Sequence, residues 1–478
     1  MENLPHIPVC RLGRTYESLN KVDVARHADG EVLAQVSSVN AGIIRKDLRK
    51  LDKARAALKK FTVAELVDLC AKAGEEFLNG TLPLGDKGHT QSADDYISTL
   101  SSTSGLPHNM VKMNMGKIHY ALTNMMTVLN GLTRGLDTSI IDNGTGIQGG
   151  ARCSFFPAAK SLGLVMPSNS PAVNSLWLPA VPLKYPVIIK PGREEPWTPY
   201  RLIQALIAAG IPSEAFGFYP TDHEGAGEIL EKCGRALIFG DKSTTDRYAG
   251  NPAVQCHGPG FSKILIGEDK IENWEDYLDM IDTSATANGG RSCINASAVV
   301  VPKYGREIAE ALGKRLGPIA PTAADDENAR LSGFANPKMA EWIDGTIESD
   351  LEEAGAEEMT AKYRDGERKV DDERGLFLRP TVVYCDSTKH PAWNREFLFP
   401  YLSVVEVPQT EMLNEIGPSL VVSAVTDDKE FREELMESDL VDRLNFGAVP
   451  TNKISWDQPH EGNMFEFLYR RRALEVEE

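Results

Sequence analysis

The chain has 478 residues, of which 42% are hydrophobic and 25% charged, a composition typical of a globular protein with two or three domains. Its formal net charge of −18 argues against nucleic acid and an anionic membrane as partners, because both repel an acidic surface. The 7 cysteines are scattered without a C-x-x-C pair, which argues against a disulfide framework or a zinc site and predicts no bound metal.

Two observations predict a cytoplasmic location. No apolar run reaches the length of a membrane-spanning helix. The segment Met1–Pro5 has neither the basic nor the apolar region of a secretory signal.

The first third of the chain is predicted to be mainly helical. Apolar residues recur at helical spacing across 43–60, and Thr62 with Glu65 forms a capping box that starts the next helix. Residues 91–134 are predicted to continue as helix and are rich in methionine. This methionine-rich stretch either packs a core or forms the flexible apolar wall of a substrate tunnel. Residues 137–160 are predicted to form a projecting β-hairpin, of a kind that often pairs with a partner subunit.

From Leu162 onward the pattern alternates between strands and helices. One series runs to Phe239, and a second begins at Lys263. This alternation predicts α/β architecture with parallel sheets, whose ligands bind at the carboxyl ends of the strands. No G-x-G-x-x-G fingerprint occurs in the first series. The acidic stretch 325–360 is predicted to be a solvated helical face, and the basic run Tyr469–Arg472 an exposed helix end.

The loop from Gly289 to Ser297 contains one cysteine among small residues and leads into an apolar strand. Its Gly-Gly pair lets the backbone pass close to a ligand and leaves room around Cys293. The cysteine is either an exposed thiolate nucleophile or a buried structural residue.

Several separate stretches, in the same order and at similar separations, resemble the motifs of the aldehyde dehydrogenase superfamily over nearly the whole chain. The matching stretches are Pro167–Pro171 (family motif P-W-N-F-P), Val187–Pro191 (V-V-I-K-P), Gly289–Cys293 (G-Q-x-C), Leu378–Val382 (F-x-x-P-T-V), Glu396–Pro400 (E-x-F-G-P) and Gly447–Asn452 (G-T-V-W-V-N). The resemblance implies an α/β fold with a Rossmann-type cofactor domain, an α/β catalytic domain and a projecting oligomerisation hairpin. It implies a cofactor domain of residues 1–137 and 160–258, a catalytic domain of 259–458, and an oligomerisation hairpin and tail of 138–159 and 459–478.

The resemblance also implies a chemistry in which a nicotinamide cofactor oxidises an aldehyde. Cys293 would attack the aldehyde carbonyl and later carry a thioester, while the side-chain amide of Asn169 would stabilise the oxyanion. Lys190 would bind the adenosine ribose and Glu396 the nicotinamide ribose, with Pro167 in the cofactor site.

The chain departs from the family where ordinary members carry a glutamate that activates water. The corresponding stretch is His257-Gly258-Pro259-Gly260-Phe261-Ser262, whose G-P-G resembles the branch that transfers acyl groups to coenzyme A. Three interpretations remain open. His257 is the base that activates water, or coenzyme A is the co-substrate that accepts the acyl group, or His257 is a hydrogen-bonded structural residue.

Further departures concern the cofactor, which is expected to be NAD or NADP. Arg193 occupies the position of a family glutamate that binds the adenosine 2′-hydroxyl, which favours NADP because an arginine can pair with a 2′-phosphate. In the phosphate-binding stretch, Lys242 would attract the pyrophosphate, with Ser243 beside it, while Asp241 would repel it. Phe399 replaces a glycine and is expected to narrow the cofactor path.

The expected function is therefore that of an NAD(P)-dependent aldehyde dehydrogenase. The alternatives are a CoA-acylating aldehyde dehydrogenase and a non-catalytic relative that no longer binds a dinucleotide. The terminal strand that the family uses in tetramer assembly is expected to be short or missing, which predicts a homodimer formed through the 138–159 hairpin.

Overall fold

Two seven-stranded sheets organise the chain, one formed by residues up to His257 and the other by residues from Ser262 onward. The computed structural model describes residues 4–477. Met1–Asn3, which belong to the segment examined for a secretory signal, and Glu478 lie outside the described residues.

The first sheet combines five parallel strands with two antiparallel strands at one edge. From edge to edge its strands are Val254–His257, Gly234–Phe239, Ser161–Val165, Val187–Lys190, Phe216–Phe218, Val9–Arg11 and Thr15–Tyr16. The central parallel strands are runs of buried apolar residues, as expected for strands that are covered on both faces. The predicted α/β architecture is therefore confirmed in this half of the chain.

The second sheet has six parallel strands and one antiparallel edge strand. In order they are Ala356–Glu358, Thr381–Cys385, Tyr401–Glu406, Ala296–Val301, Ser262–Ile266, Ser419–Val425 and Val441–Phe446. Two separate apolar cores cover its two faces. This sheet presents the loop of Cys293 at the start of its strand Ala296–Val301.

Helices cover both sheets and form the body of the first third of the chain. They are Ala41–Leu48, Leu51–Leu58, Val63–Asn79, Ala93–Ser104, His108–Thr123, Met125–Thr133, Ser139–Asn143, Trp197–Ala208, His223–Lys232, Lys242–Thr245, Leu278–Thr286, Gly305–Leu316, Pro337–Leu351, Gln409–Ile416, Lys429–Glu437 and Met464–Leu468. Smaller sheets pair His6–Ile7, Val32–Ser37 and Lys21–Ala25, then Leu82–Leu84 with His89–Gln91, and Lys369–Asp372 with Gly375–Leu378.

The first predicted helix, 43–60, is in fact two helices with a break at Arg49 and Lys50. The break allows Leu48 to pack in a small core with Val9, while Leu58 enters the large core beside the first sheet. The capping box of Thr62 and Glu65 is present with both of its reciprocal hydrogen bonds.

The predicted helix 91–134 is three helices. The chain turns at Gly105, whose backbone is left-handed, and at Pro107, which has no amide hydrogen to continue a helix. A second break follows at Asn124. Of the five methionines in this stretch, Met110, Met115 and Met125 are buried in the core, which supports the packing interpretation.

The predicted hairpin of residues 137–160 begins with the short helix Ser139–Asn143, and its strands are Thr145–Gln148 and Ala151–Pro157. Gly149 and Gly150, both with positive φ, form its turn.

The prediction of an exposed helix end at Tyr469–Arg472 is wrong, because these residues form a strand antiparallel to Ala151–Pro157. Tyr469 is buried against Tyr185, and this anchoring aligns the basic run with the hairpin. The terminal strand, which is expected from the sequence to be short or missing, is present and short, with four residues.

The acidic stretch 325–360 is only partly helical. Its helix, Pro337–Leu351, starts after Asn336, whose side chain caps the first turn. Within residues 4–477, no helix is both long enough and apolar enough to span a membrane.

Gly105→Ala should destabilise the protein more than the matched control Gly88→Ala. Both glycines have left-handed backbone, with φ of 77° and 79°, so the strain of a Cβ, about 1–2 kcal/mol, is common to both variants. Only at Gly105 would the Cβ overlap a backbone atom, the carbonyl oxygen of Gly333, which adds roughly 1–3 kcal/mol. Thermal unfolding followed by circular dichroism provides the comparison, and equal shifts would contradict the packing argument.

Candidate active site

A cleft of about 1070 Å³ is lined by residues from both large sheets and their connecting loops. Of the residues predicted from sequence, the structure brings together on its wall Pro167, Asn169, Lys242, His257, Cys293 and Glu396. Lys190, Arg193 and Ser243 do not line the cleft. The cleft therefore gathers the predicted chemical residues and separates them from part of the predicted cofactor set.

The loop of Cys293 is fixed by close backbone packing. Gly290 has a φ of 70°, and a side chain there would overlap the backbone of Phe399 and Pro400. A side chain at Gly260 would overlap the carbonyl oxygen of Cys293, and the Ser262 hydroxyl donates to that same oxygen at 2.8 Å. The small residues on both sides therefore let two loops meet behind the cysteine.

Burial is the main reason why the pKa of the Cys293 thiol is raised above its ordinary value. The nearby carboxylates of Glu461 and Glu396 raise it further, and the positive charge of Arg443 acts in the opposite direction. The thiol is therefore protonated at neutral pH, and forming the nucleophilic thiolate requires a base.

The side chain of Asn169 is attached to the loop that contains Cys293. Its amide donates to the carbonyl oxygen of Arg291 at 2.7 Å, and since the amide has two hydrogens, one remains for a ligand. Arg291 is itself buried and donates to the carbonyl oxygens of Ser104, at 2.6 Å, and Gly333. These contacts fix the position of the Asn169 amide relative to the loop that contains Cys293.

His257 occupies the wall of the cleft with one ring nitrogen bound and the other free. Its ring stacks on Phe239, with centroids 4.5 Å apart and planes inclined by 14°. Nδ1 donates to the carboxylate of Glu461, and Nε2 is buried without a hydrogen-bond partner among residues 4–477. This arrangement orients an imidazole whose Nε2 can accept a proton.

Glu461 is a site residue that the sequence analysis missed. It lies 204 positions from His257 in the chain, in a loop after the last strand of the second sheet, and it also lines the cleft. A single glutamate in a loop has no local pattern that marks it. Only the folded chain brings this carboxylate to the imidazole.

The carboxylate of Glu396 accepts hydrogen bonds from the backbone amides of Gly260, at 3.0 Å, and Phe261. Burial raises the pKa of Glu396 to about 7, although both amide bonds favour the charged form. Lys263 is fully buried behind this loop, and burial lowers its pKa to about 7. The two amide hydrogen bonds thus attach the loop that follows His257 to the segment that contains Glu396.

At the adenosine end predicted from sequence, the structure places Glu194, not Arg193, on the wall. Arg193 is exposed, whereas the Glu194 carboxylate accepts a hydrogen bond from Ser168 at 2.8 Å and lines the cleft. Lys190 ends its strand, and its side chain has no hydrogen bond to a described residue. Burial lowers the pKa of this lysine, and nearby Glu194 opposes the shift.

The predicted phosphate-binding stretch is partly occupied by its own contacts. Asp241 accepts from the backbone amide of Thr244 at 2.8 Å, and the Ser243 hydroxyl donates to Asp241 at 2.9 Å. Lys242 lines the cleft and is largely exposed, with Asp246 at 3.3 Å. Lys242 can therefore reach an anionic ligand, whereas the Ser243 hydroxyl is already bound.

A dinucleotide fits the polar and charged side chains on this wall. Lys242 suits a phosphate, and the carboxylates of Glu194 and Glu396, each with unused acceptor positions, suit ribose hydroxyls. The Asp241 carboxylate is the one charge in this stretch that opposes a phosphate.

Comparison with known proteins gives a consistent result. The family model described as "Aldehyde dehydrogenase family" matches residues 15–463. Among curated proteins, 1-pyrroline-5-carboxylate dehydrogenase of Staphylococcus aureus (strain JH1) is 26% identical over 262 residues, which are 51% of this chain and 49% of that protein. The chain thus matches about half the length of this relative.

Solved structures of similar fold cover nearly the whole chain. Indole-3-acetaldehyde dehydrogenase, solved with NAD+, has a TM-score of 0.80 at 14% identity and covers 98% of this chain and 97% of its own. The NAD+ complex of an aldehyde dehydrogenase from Bacillus cereus has a TM-score of 0.76 at 16% identity, with coverage of 99% and 97%. At these identities the likeness shows a common fold.

Proposed function

The chain belongs to the aldehyde dehydrogenase family, and on this premise we propose that it oxidises an aldehyde to the acid with NAD, using Cys293 as nucleophile and His257 as base. One observation supports this proposal most directly. The imidazole of His257 has Nδ1 bound by Glu461 and a partner-free Nε2, on the same cleft wall as Cys293.

The first step forms a bond between the Cys293 sulfur and the aldehyde carbon. His257 Nε2 accepts the thiol proton, and Glu461 stabilises the resulting imidazolium through its hydrogen bond to Nδ1. The carbonyl oxygen becomes an oxyanion, which the free amide hydrogen of Asn169 stabilises, an interaction typically worth roughly 3–4 kcal/mol of barrier.

When bound, the nicotinamide cofactor supplies the two-electron oxidation that converts the adduct on Cys293 to a thioester. His257 then releases the thiol proton to solvent, which restores the neutral imidazole. Water attacks the thioester carbon while the free Nε2 accepts a proton from that water, and the bond between the carbon and the Cys293 sulfur breaks. The acid leaves, and the Cys293 sulfur is released for the next cycle. His257 thus takes the place of the carboxylate that the sequence lacks at this position.

The cofactor is proposed to lie along the wall formed by Glu194, Lys242, Pro167 and Glu396. We favour NAD over NADP, because Glu194 on the wall suits a 2′-hydroxyl and repels a 2′-phosphate. The sequence favoured NADP because of Arg193, but this residue is exposed and does not line the cleft.

Transfer of the acyl group to coenzyme A is the second candidate function. The stretch His257-Gly258-Pro259 lines the cleft and contains no carboxylate, which fits an enzyme that needs no activated water. Against it stands the Nε2 of His257, which has no hydrogen-bond partner among residues 4–477, whereas a structural histidine is expected to have both ring nitrogens satisfied.

Turnover is tested by following nicotinamide absorbance with a panel of aldehydes, with NAD or NADP, and with or without coenzyme A. We expect turnover without coenzyme A and higher kcat/KM with NAD. Cys293→Ala should abolish it, and His257→Gln should lower it by about 100-fold or more, since general base catalysis contributes roughly 10²–10⁴-fold.

The matched control is His119→Gln. His119 also pairs with a carboxylate, Glu75 at 2.8 Å, but lies outside the cleft, so this variant should keep wild-type turnover. Turnover that strictly requires coenzyme A would assign the acylating branch. A complete absence of turnover and of cofactor binding would favour the non-catalytic relative.

We also propose a homodimer formed through the 138–159 hairpin. Its strand Thr145–Gln148 is an edge of the small sheet, and Ile147 on that strand is 58% exposed. Light scattering after size exclusion should give twice the mass of the chain, and Ile147→Asp should give a monomer. Leu19→Asp, at another exposed apolar residue, is the control, and a monomeric wild type would refute the dimer.

A further inference from the structure

One part of the cleft wall is mainly apolar and has a single charged side chain. We call the substrate arm the cleft-lining residues of segments 117–132, 170–179 and 454–459. These residues are Lys117, Val128, Leu132, Ser170, Ala172, Val173, Ser175, Leu176, Pro179, Ile454, Ser455, Trp456, Gln458 and Pro459. Lys117 is the one charged residue among them, so its ammonium is the dominant electrostatic feature of this arm.

The residue Lys117 is half-buried, and its ammonium has no hydrogen bond or ion pair with any residue from 4 to 477. Burial lowers its pKa, because an apolar environment disfavours the charged form. A cation held in an apolar wall without a counter-ion is destabilising for the folded protein. Such a side chain is best explained by an anion that it binds.

The position of Lys117 relates it to the proposed reaction centre. Asn114, one helical turn earlier, accepts hydrogen bonds from the Ser170 hydroxyl at 3.1 Å and the Ala172 amide at 3.2 Å. Residues three apart lie on the same helix face, so Lys117 lies about one turn, roughly 5 Å, further along this wall from the segment that carries Asn169. Cys293 and Lys117 line the same cleft, so one substrate of suitable length can contact both.

A second cation on the cleft wall, Arg443, is already engaged. It donates to Nδ1 of His460 at 2.7 Å and to the carbonyl oxygen of Lys453 at 3.2 Å. Its charge opposes the rise in the pKa of Cys293 that burial causes. Arg443 therefore serves the nucleophile, whereas Lys117 is the cation of the substrate arm.

We propose that the substrate is an aldehyde with a carboxylate at the far end of a short apolar chain, and that Lys117 binds this carboxylate. The apolar wall of the substrate arm accommodates the chain. One ammonium balances one negative charge, which favours a carboxylate over a dianionic phosphate. This inference rests on the proposed function of Cys293 and names the substrate class of the same cleft.

Paired aldehydes of equal length, such as pentanal and 5-oxopentanoate, test the proposal in wild type, Lys117→Met and Lys117→Arg. In wild type, kcat/KM should be at least roughly tenfold higher for the carboxylated aldehyde, as for a partly desolvated ion pair. Lys117→Met should remove this preference by raising KM for 5-oxopentanoate much more than KM for pentanal. Lys117→Arg should restore most of it.

Lys338→Met is the matched control, because Lys338 also lines the cleft but is exposed and lies outside the substrate arm. It should leave the preference intact. The proposal would be overturned if the wild type had a higher kcat/KM for pentanal. It would also be overturned if Lys117→Met lowered kcat/KM equally for both aldehydes, because this result would assign Lys117 a structural role.

Binding of the product analogue separates this proposal from the proposed function. Calorimetry with pentanedioate and pentanoate, in the Cys293→Ala background, does not depend on turnover. Tighter binding of pentanedioate that is lost in Lys117→Met supports the carboxylate site even if no aldehyde is oxidised. Equal binding of the two acids contradicts it, whether or not the enzyme turns over.

Discussion

The hydrogen bond between His257 and Glu461 is the interaction on which the proposed chemistry depends. It joins the end of a strand in the first sheet to a loop beyond the last strand of the second, at the wall of the cleft. The bond fixes the ring and leaves Nε2 as the acceptor. Because burial holds Cys293 as a thiol, a base in this place is needed before the nucleophile can form.

The rest of the site is built by loops that meet with little room between their backbones. Gly260 allows the loop after His257 to pass the carbonyl oxygen of Cys293, and Glu396 binds the amides of the same loop. Asn169 is held from the other side through Arg291. The parallel sheets thus supply rigid strand ends, and side-chain contacts between loops set the positions of the reacting groups.

The sequence predicted what depends on local pattern. Cys293, Asn169 and His257 lie in short motifs, and the structure places all three on one cleft. Glu461 could not be predicted, because its role depends on a contact across 204 positions of the chain. The sequence also could not predict that Glu194 lines the cleft and its neighbour Arg193 does not, because this depends on the path of the turn. The strand Tyr469–Arg472 was missed because it forms only by pairing with the hairpin.

The most direct test of this account is the mass of the protein during the reaction. Wild-type protein, mixed with an accepted aldehyde and NAD and quenched in acid within the first turnover, should carry the acyl group as a thioester, and His257→Gln should form less of it in the same time, because its thiol lacks the base. Peptide mass spectrometry should place this added mass on Cys293, and Cys293→Ala should show none. An acyl group on another cysteine, or oxidation of the aldehyde that survives Cys293→Ala, would contradict the account.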